Sequence, residues 1–153
     1  LMGINVFLNK SEYLPGEEIE ATIQLDLDKA VKARGIYATL ACMEKKKMAH
    51  TRHIPQAEIE ERRRLGLYTE VPFTQTETIE DRTIFREEKK VAGEAGYQKE
   101  EFRVKFRLPP DAAPTSREFG HDNKTDVWNL HVKIDIPFAP DMNADHEVFV
   151  GGL

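Results

Sequence analysis

The sequence predicts an all-β domain built as a sandwich of two antiparallel sheets. Long stretches alternate between apolar and polar residues, which is the period of a strand with one face in a core and the other in water. Turn residues such as Pro15-Gly16 and Gly93-Glu94-Ala95-Gly96 separate these stretches. About eight or nine strands are expected, together with one short helix at residues 55–65.

Alternation and β-forming residues locate the strands. They are expected at residues 3–9, 18–27, 34–44, 67–73, 76–91, 97–108, 127–136 and 147–150. Because proline presets φ and glycine accepts positive φ, Pro15-Gly16 should turn the chain between the first two strands, which then pair or lie side by side. Trp128 is in phase with the apolar residues of its strand, so we expect it in the core. Pro109-Pro110 should end the strand before it, because proline has no N–H for the ladder.

Residues 55–66 depart from this alternation. Pro55 stands at the first position of a helix, Glu58 comes early, Arg62 to Arg64 come late and Gly66 follows. This order of charges suits the helix macrodipole and predicts a helix. A charged extension of a strand is the alternative.

Length and composition limit the class of protein. The 153 residues suit one domain spanning 1–153, with no repeat or linker inside it. A net charge of −5 disfavours a general nucleic-acid binder. Cys42 is the only cysteine, no apolar run is long enough for a membrane helix, and no signal peptide is evident at the start. We therefore expect a cytoplasmic protein without disulfides.

Four short motifs, taken in order, resemble the arrestin-like superfamily and in particular its amino-terminal type of domain. They are Tyr13-Leu14-Pro15-Gly16-Glu17, Arg34-Gly35-Ile36, Phe106-Arg107-Leu108-Pro109-Pro110 with Pro114-Thr115-Ser116, and Val127-Trp128-Asn129-Leu130-His131-Val132 with Asp141 soon after. The resemblance, which extends to the sporulation-control type, implies an immunoglobulin-like β-sandwich. Members of the superfamily are mostly non-enzymatic adaptors and regulators. They generally carry two sandwiches, whereas this chain has room for one.

The residues predict no catalytic site and no cofactor site. Neither serine, Ser11 nor Ser116, lies in a Gly-x-Ser-x-Gly motif. Cys42 is in phase with Leu40 and is expected to be a small buried hydrophobe rather than a nucleophile. We therefore expect a protein that is not an enzyme.

A metal-binding protein or metal-dependent enzyme is the alternative. It would use His50 and His53, with His121 as a further ligand. A spacing of three suits a helix or a tight turn and is poor on a strand. His131, on the polar face of the tryptophan strand, is expected to be merely solvated.

A basic cluster is the candidate interaction surface. It consists of Lys45, Lys46, Lys47, Arg52, Arg62, Arg63 and Arg64. The cluster would attract anionic lipid or an acidic partner. The favoured interpretation is that nearby glutamates, Glu44 among them, partly neutralise a protruding, solvated loop. Because no aromatic residues are interleaved with the bases, single-stranded nucleic acid is not expected.

Residues 76–91 are the best candidate for a free sheet edge. They are charged, yet they contain β-formers at Thr78, Ile79, Thr83, Ile84 and Phe85. A free edge offers unpaired N–H and C=O groups for strand addition. We therefore expect a protein partner of unknown identity, with a homodimer through edge pairing as one form. A membrane surface is an option that the sequence does not favour.

Overall fold

A computed structural model describes residues 3–66 and 73–152. In chain order their elements are β1 (Gly3–Leu8), β2 (Glu18–Ala33), β3 (Gly35–His53), α1 (Gln56–Arg64), β4 (Phe73–Ala92), β5 (Ala95–Arg107), β6 (Lys124–Asp135) and β7 (Met142–Val148). The strand predicted at residues 67–73 lies, except for its last residue, outside the described ranges. Within those ranges, no helix has the length and apolar character needed to cross a bilayer.

The strands form two antiparallel sheets that face each other. One sheet has the order β1-β2-β5 and the other has the order β4-β3-β6-β7. β1 pairs with β2 across the Pro15-Gly16 turn, where Gly16 adopts a φ of 84°. The predicted all-β sandwich is confirmed, as is the pairing of its first two strands.

The apolar phase of each long strand lies between the two sheets. The largest fully buried side chains are Trp128, Tyr13, Phe106, Ile19, Ile23, Ile36, Leu40, Leu108, Leu130, Ile134, Val132 and Val148. The indole of Trp128 packs 5.3 Å from the ring of Phe85 and donates a hydrogen bond of 2.8 Å to the carbonyl of Ala113. Trp128 and Cys42 are both in this core, as predicted.

The two proline motifs meet at one end of the sandwich. The N–H of Gly16 donates to the carbonyl of Pro109 at 3.1 Å, and the N–H of Leu108 donates to the carbonyl of Glu17 at 2.9 Å. Tyr13 lies beside Val150 in a parallel bridge, which adds a further backbone contact at this end. Segments about ninety residues apart in the chain therefore close the same edge of the core.

Three strands extend well beyond the predicted ranges. β2 continues past Leu27 to Ala33, where it pairs with β5. β3 continues past Glu44 to His53, because β4 pairs with it to that end. β7 starts at Met142, ahead of the predicted range 147–150, because residues 142–148 pair with β6. In these places the sequence lacks apolar alternation, so pairing with a neighbouring strand defines the strand.

The predicted helix is confirmed as α1. Its acidic Glu58 lies in the first turn, and Arg62, Arg63 and Arg64 lie in the last. Arg62 pairs with Glu58 at 3.0 Å, an i,i+4 contact of a kind that stabilises a helix by about 0.2–0.5 kcal/mol. No residue of α1 is buried, so packing on the sandwich does not hold it.

Substitutions of two phenylalanines, one buried and one exposed, test where the core lies. Phe106 is buried between the sheets and Phe138 is fully exposed. We expect Phe106→Ala to lower the free energy of unfolding by about 3–5 kcal/mol, since it leaves a cavity. The matched change Phe138→Ala should stay within about 0.5 kcal/mol of the parent. Urea titration followed by tryptophan fluorescence measures both, and equal effects would contradict the assigned core.

Candidate interaction surface

β4 forms one edge of the four-stranded sheet, where the sequence predicted an edge. In the described part of the chain it is hydrogen-bonded along one side, to β3. We call its other side, from residue 76 to residue 91, the β4 edge. Every residue from 76 to 84 is exposed on this strand. The edge therefore presents backbone donors and acceptors directly to solvent.

The first part of β4 belongs to a ribbon that extends beyond the sheet. The pairing of β3 with β6 ends at Lys46 and Lys124, whereas its pairing with β4 continues to His53. We call residues 48–53 and 73–78 the ribbon. Among the described residues it has strand neighbours on neither side. Because two strands alone are marginally stable in water, the ribbon is a segment that a third strand would stabilise.

A bulge near the middle of β4 sets which side chains share a face. Thr83 is opposite Met43 and Phe85 is opposite Cys42, so Ile84 has no partner on β3. The strand phase shifts by one residue at that point. The outer face of β4, away from the core, therefore carries Glu77, Ile79, Asp81 and Thr83 before the bulge, and Arg86, Glu88 and Lys90 after it.

This outer face combines apolar exposure with separated charge. Ile79 is 57% exposed, Met43 39% and Ile84 37%. On the ribbon side of Ile84 the outer charges, Glu77 and Asp81, are acidic. On the other side Arg86 and Lys90 flank Glu88, so that half is net basic.

The structure distributes the predicted basic cluster over several surfaces. Successive residues of a strand point to opposite faces, so Lys46 lies on the inner face and Lys45 and Lys47 on the outer. Across the strand, Lys45 faces Asp81 and Lys46 faces Glu80. Lys47 instead lies 4.8 Å from the ring centre of Phe119.

The arginines of the cluster are elsewhere. Arg52 is on β3 within the ribbon, and the other three are on α1. Arg62 pairs with Glu58, and Arg64 lies 3.8 Å from Glu61. Arg63 is exposed in the last turn of the helix.

Two histidines of the metal alternative are in β3, and the third, His121, lies in an exposed turn before β6. His50 and His53 are three residues apart on a strand, so their side chains point to opposite faces. His50 Nε2 is 2.9 Å from the Thr78 hydroxyl. Across residues 3–66 and 73–152, His, Cys, Asp and Glu side chains form no group of three or more that could hold a metal ion.

A pair of inward-facing acids, which the sequence analysis missed, lies where the ribbon leaves the sandwich. Glu44 and Asp126 are direct cross-strand partners on β3 and β6. Glu44 is buried and accepts a hydrogen bond from Arg82 of β4 at 3.3 Å, whereas Asp126 Oδ1 is buried without a hydrogen-bond partner. Burial, and next the charge of Glu44, raise the pKa of Asp126. Both acids are in phase with core residues, which is the signal that could have found them.

His131 was expected to be merely solvated, but its ring is hydrogen-bonded to two side chains. Its Nδ1 is 2.7 Å from Asp145 Oδ1 and its Nε2 is 3.0 Å from Asn143 Oδ1, both on β7. The hydrogen bond with His131, and then one from Asn129, lower the pKa of Asp145. This network covers the outer face of the β6–β7 pair and leaves the β4 edge apart from it.

Comparison with solved structures shows an arrestin-like fold. The chain is similar to Spo0M, a sporulation control protein from Bacillus subtilis, with a TM-score of 0.63 and 20% sequence identity. The similarity covers 99% of this chain and 49% of that one, so this chain spans about half the length of its structural neighbour. The predicted arrestin-like fold is thereby confirmed. No family model matches the chain, and no curated protein does.

The raised pKa of Asp126 predicts a pH-dependent stability. An acid whose pKa is higher in the folded state stabilises the fold while it is protonated, and that stability is lost as the pH rises from about 4 through the raised pKa. Asp126→Asn keeps the shape and removes the charge. We expect the variant to gain stability over the parent as the pH rises from about 4.5 to 8.

Denaturant titrations at several pH values measure this difference. Glu101→Gln, which neutralises an exposed acid on β5 away from the acid pair, is the control, and its difference in stability from the parent should change less with pH than that of Asp126→Asn. A constant offset between Asp126→Asn and the parent at every pH would show that the charge of Asp126 carries no penalty.

Proposed function

We propose that this domain is a non-enzymatic protein-interaction module, of adaptor or regulatory type, that binds a partner strand along the β4 edge. The observation that carries the proposal is the β4 edge itself, where residues 76–84 are exposed and β4 is hydrogen-bonded in the described chain on one side only, to β3. Strand addition supplies main-chain hydrogen bonds for affinity and alternate side-chain contacts for selectivity.

The chemistry of the potential nucleophiles supports a non-enzymatic role. Burial first, and then the charges of Asp126 and Glu44, raise the pKa of the Cys42 thiol to about 12. A thiol in that state is a poor nucleophile. Ser116 donates its hydroxyl to the carbonyl of Glu118 at 3.0 Å, rather than to a general base. A cytoplasmic location is part of the proposal, and it is supported by the single, unpaired Cys42.

The fold supports the same role by analogy. The structural neighbour is described as a sporulation control protein, which is a regulatory role. The analogy supports an interaction function, whereas the choice of the β4 edge as the binding surface depends on this chain's own residues.

Attraction to an anionic surface has weaker support. Lys45 and Lys46 each face an acidic residue across the strand, and two of the helix arginines are in ion pairs with glutamates. Because exposed charges of opposite sign screen one another, these bases present less positive potential than their number suggests. An interaction through the basic cluster is therefore the secondary proposal.

Photocrosslinking tests the β4 edge directly. A benzoyl-phenylalanine placed at Thr76, exposed on β4, should give discrete crosslinked products with protein when the chain is irradiated in its native cells. The same probe at Gln98, exposed on the edge strand β5 of the other sheet, is the matched control and should give few products.

A second substitution connects the products to strand addition. Ile79→Lys adds a charge of the kind that natural edge strands use to prevent pairing. It should reduce the products from Thr76 severalfold, because the exposed Ile79 lies three residues further along the β4 edge. Equal products from Thr76 and Gln98, or products that Ile79→Lys leaves unchanged, would contradict the proposal.

A further inference from the structure

We infer that the strand bound at the β4 edge is the β4 strand of a second copy of this chain, paired antiparallel about a two-fold axis between Thr83 and Ile84. This inference rests on the proposed function, since it names the occupant of the same edge. It is drawn from the register and the charges of the outer face.

Because of the bulge at Ile84, two β4 strands can pair so that outer residues lie opposite outer residues and inner residues lie opposite inner residues. In a continuous sheet, residues directly opposite each other must point to the same side. The outer residues before Ile84 are odd-numbered and those after it are even-numbered, because Ile84 is the extra residue. When two β4 strands pair antiparallel, the ribbon half of one strand lies along the half of the other strand that follows Ile84. Outer residues of one copy then lie opposite outer residues of the other.

Charge complementarity then selects the register. With the axis between Thr83 and Ile84, Asp81 lies opposite Arg86 of the second copy and Glu77 lies opposite its Lys90. Symmetry doubles both contacts, which gives four pairs of opposite charge. A shift of two residues in one direction places Glu77 opposite Glu88 and forms no pair of opposite charge on either face. A shift in the other direction places Asp81 opposite Glu88, and its only contacts of opposite charge lie on the inner face, where Arg82 is already paired with Glu44 and Glu87 with Lys89. Like charges directly opposite each other are destabilising, so the outer face disfavours both neighbouring registers.

Apolar contacts lie at the centre of this arrangement. Ile84 of each copy would lie beside the axis, next to Thr83 and close to the exposed Met43 on β3. On the inner face Glu80 would meet Glu87 of the second copy, and the side chain of Glu87 is already 3.6 Å from Lys89. The like-charge contact is therefore partly compensated within the same strand.

The far half of β4 resists strands of arbitrary sequence. A second bulge leaves Val91 without a partner on β3, and the inward Lys89 contacts the carbonyl of Lys105 while lying 5.1 Å from the ring centre of Phe106. Bulges and inward charges are devices that discourage edge pairing. A strand of arbitrary sequence should therefore bind poorly here, whereas the acidic half of a second β4 offsets this cost with charges that match.

Charge exchange tests the inference. Light scattering coupled to size-exclusion chromatography, run from low to high protein concentration, should show a monomer–dimer equilibrium for the parent chain. Asp81→Arg and Arg86→Asp each place like charges opposite each other twice, and each should raise the dimer Kd at least about tenfold. An equimolar mixture of the two variants should restore dimers, because both contacts then join an arginine of one variant to an aspartate of the other.

Glu100→Arg is the control, since it reverses an exposed charge on β5, away from the β4 edge. It should dimerise like the parent. A parent that stays monomeric at every concentration would overturn self-pairing and leave the crosslinks at Thr76 as an independent test of strand addition. Dimers that survive both single reversals, or a mixture that fails to restore them, would also overturn it. Circular dichroism of each variant establishes that it is folded.

Discussion

The backbone groups of a strand inside a sheet need hydrogen-bond partners on both sides, and β3 is the strand that this requirement constrains most. Between Gly35 and Lys46 it satisfies the requirement with β4 on one side and β6 on the other. Beyond Lys46 it retains β4 alone. The core, the ribbon and the β4 edge all follow from this one strand, which supplies buried side chains at one end and extends past its neighbour at the other.

The arrestin-like sandwich was predictable because its signals are local or periodic. The alternation in β2 and β6 fixes which side chains lie in the core before any partner strand is known. The turn at Pro15-Gly16 and the stop at Pro109-Pro110 depend on the covalent structure of proline and the missing side chain of glycine. The charge order of α1 is local too, so its existence was predictable even though none of its residues is buried.

The candidate surface was less predictable because it depends on register. Lys45 and Lys46 read as part of a positive cluster along the chain, and only the pairing with β4 brings Asp81 and Glu80 across from them. The bulge at Ile84 is likewise a property of two strands together, and no feature of β4 alone dictates where the phase changes. Asp126 is a different case: it is in phase with Trp128, but a polar residue in an apolar phase is usually taken to mark the end of a strand.

The burial of Cys42 has a practical consequence. Burial raises the pKa of this thiol to about 12, so it carries its proton at neutral pH, and it lies in a core that bulky reagents do not enter. Maleimides should therefore leave Cys42 of the native chain unmodified. A cysteine introduced on the surface would then be the one thiol that reacts with maleimides. Spin labels or fluorophores could be attached to it without first replacing Cys42.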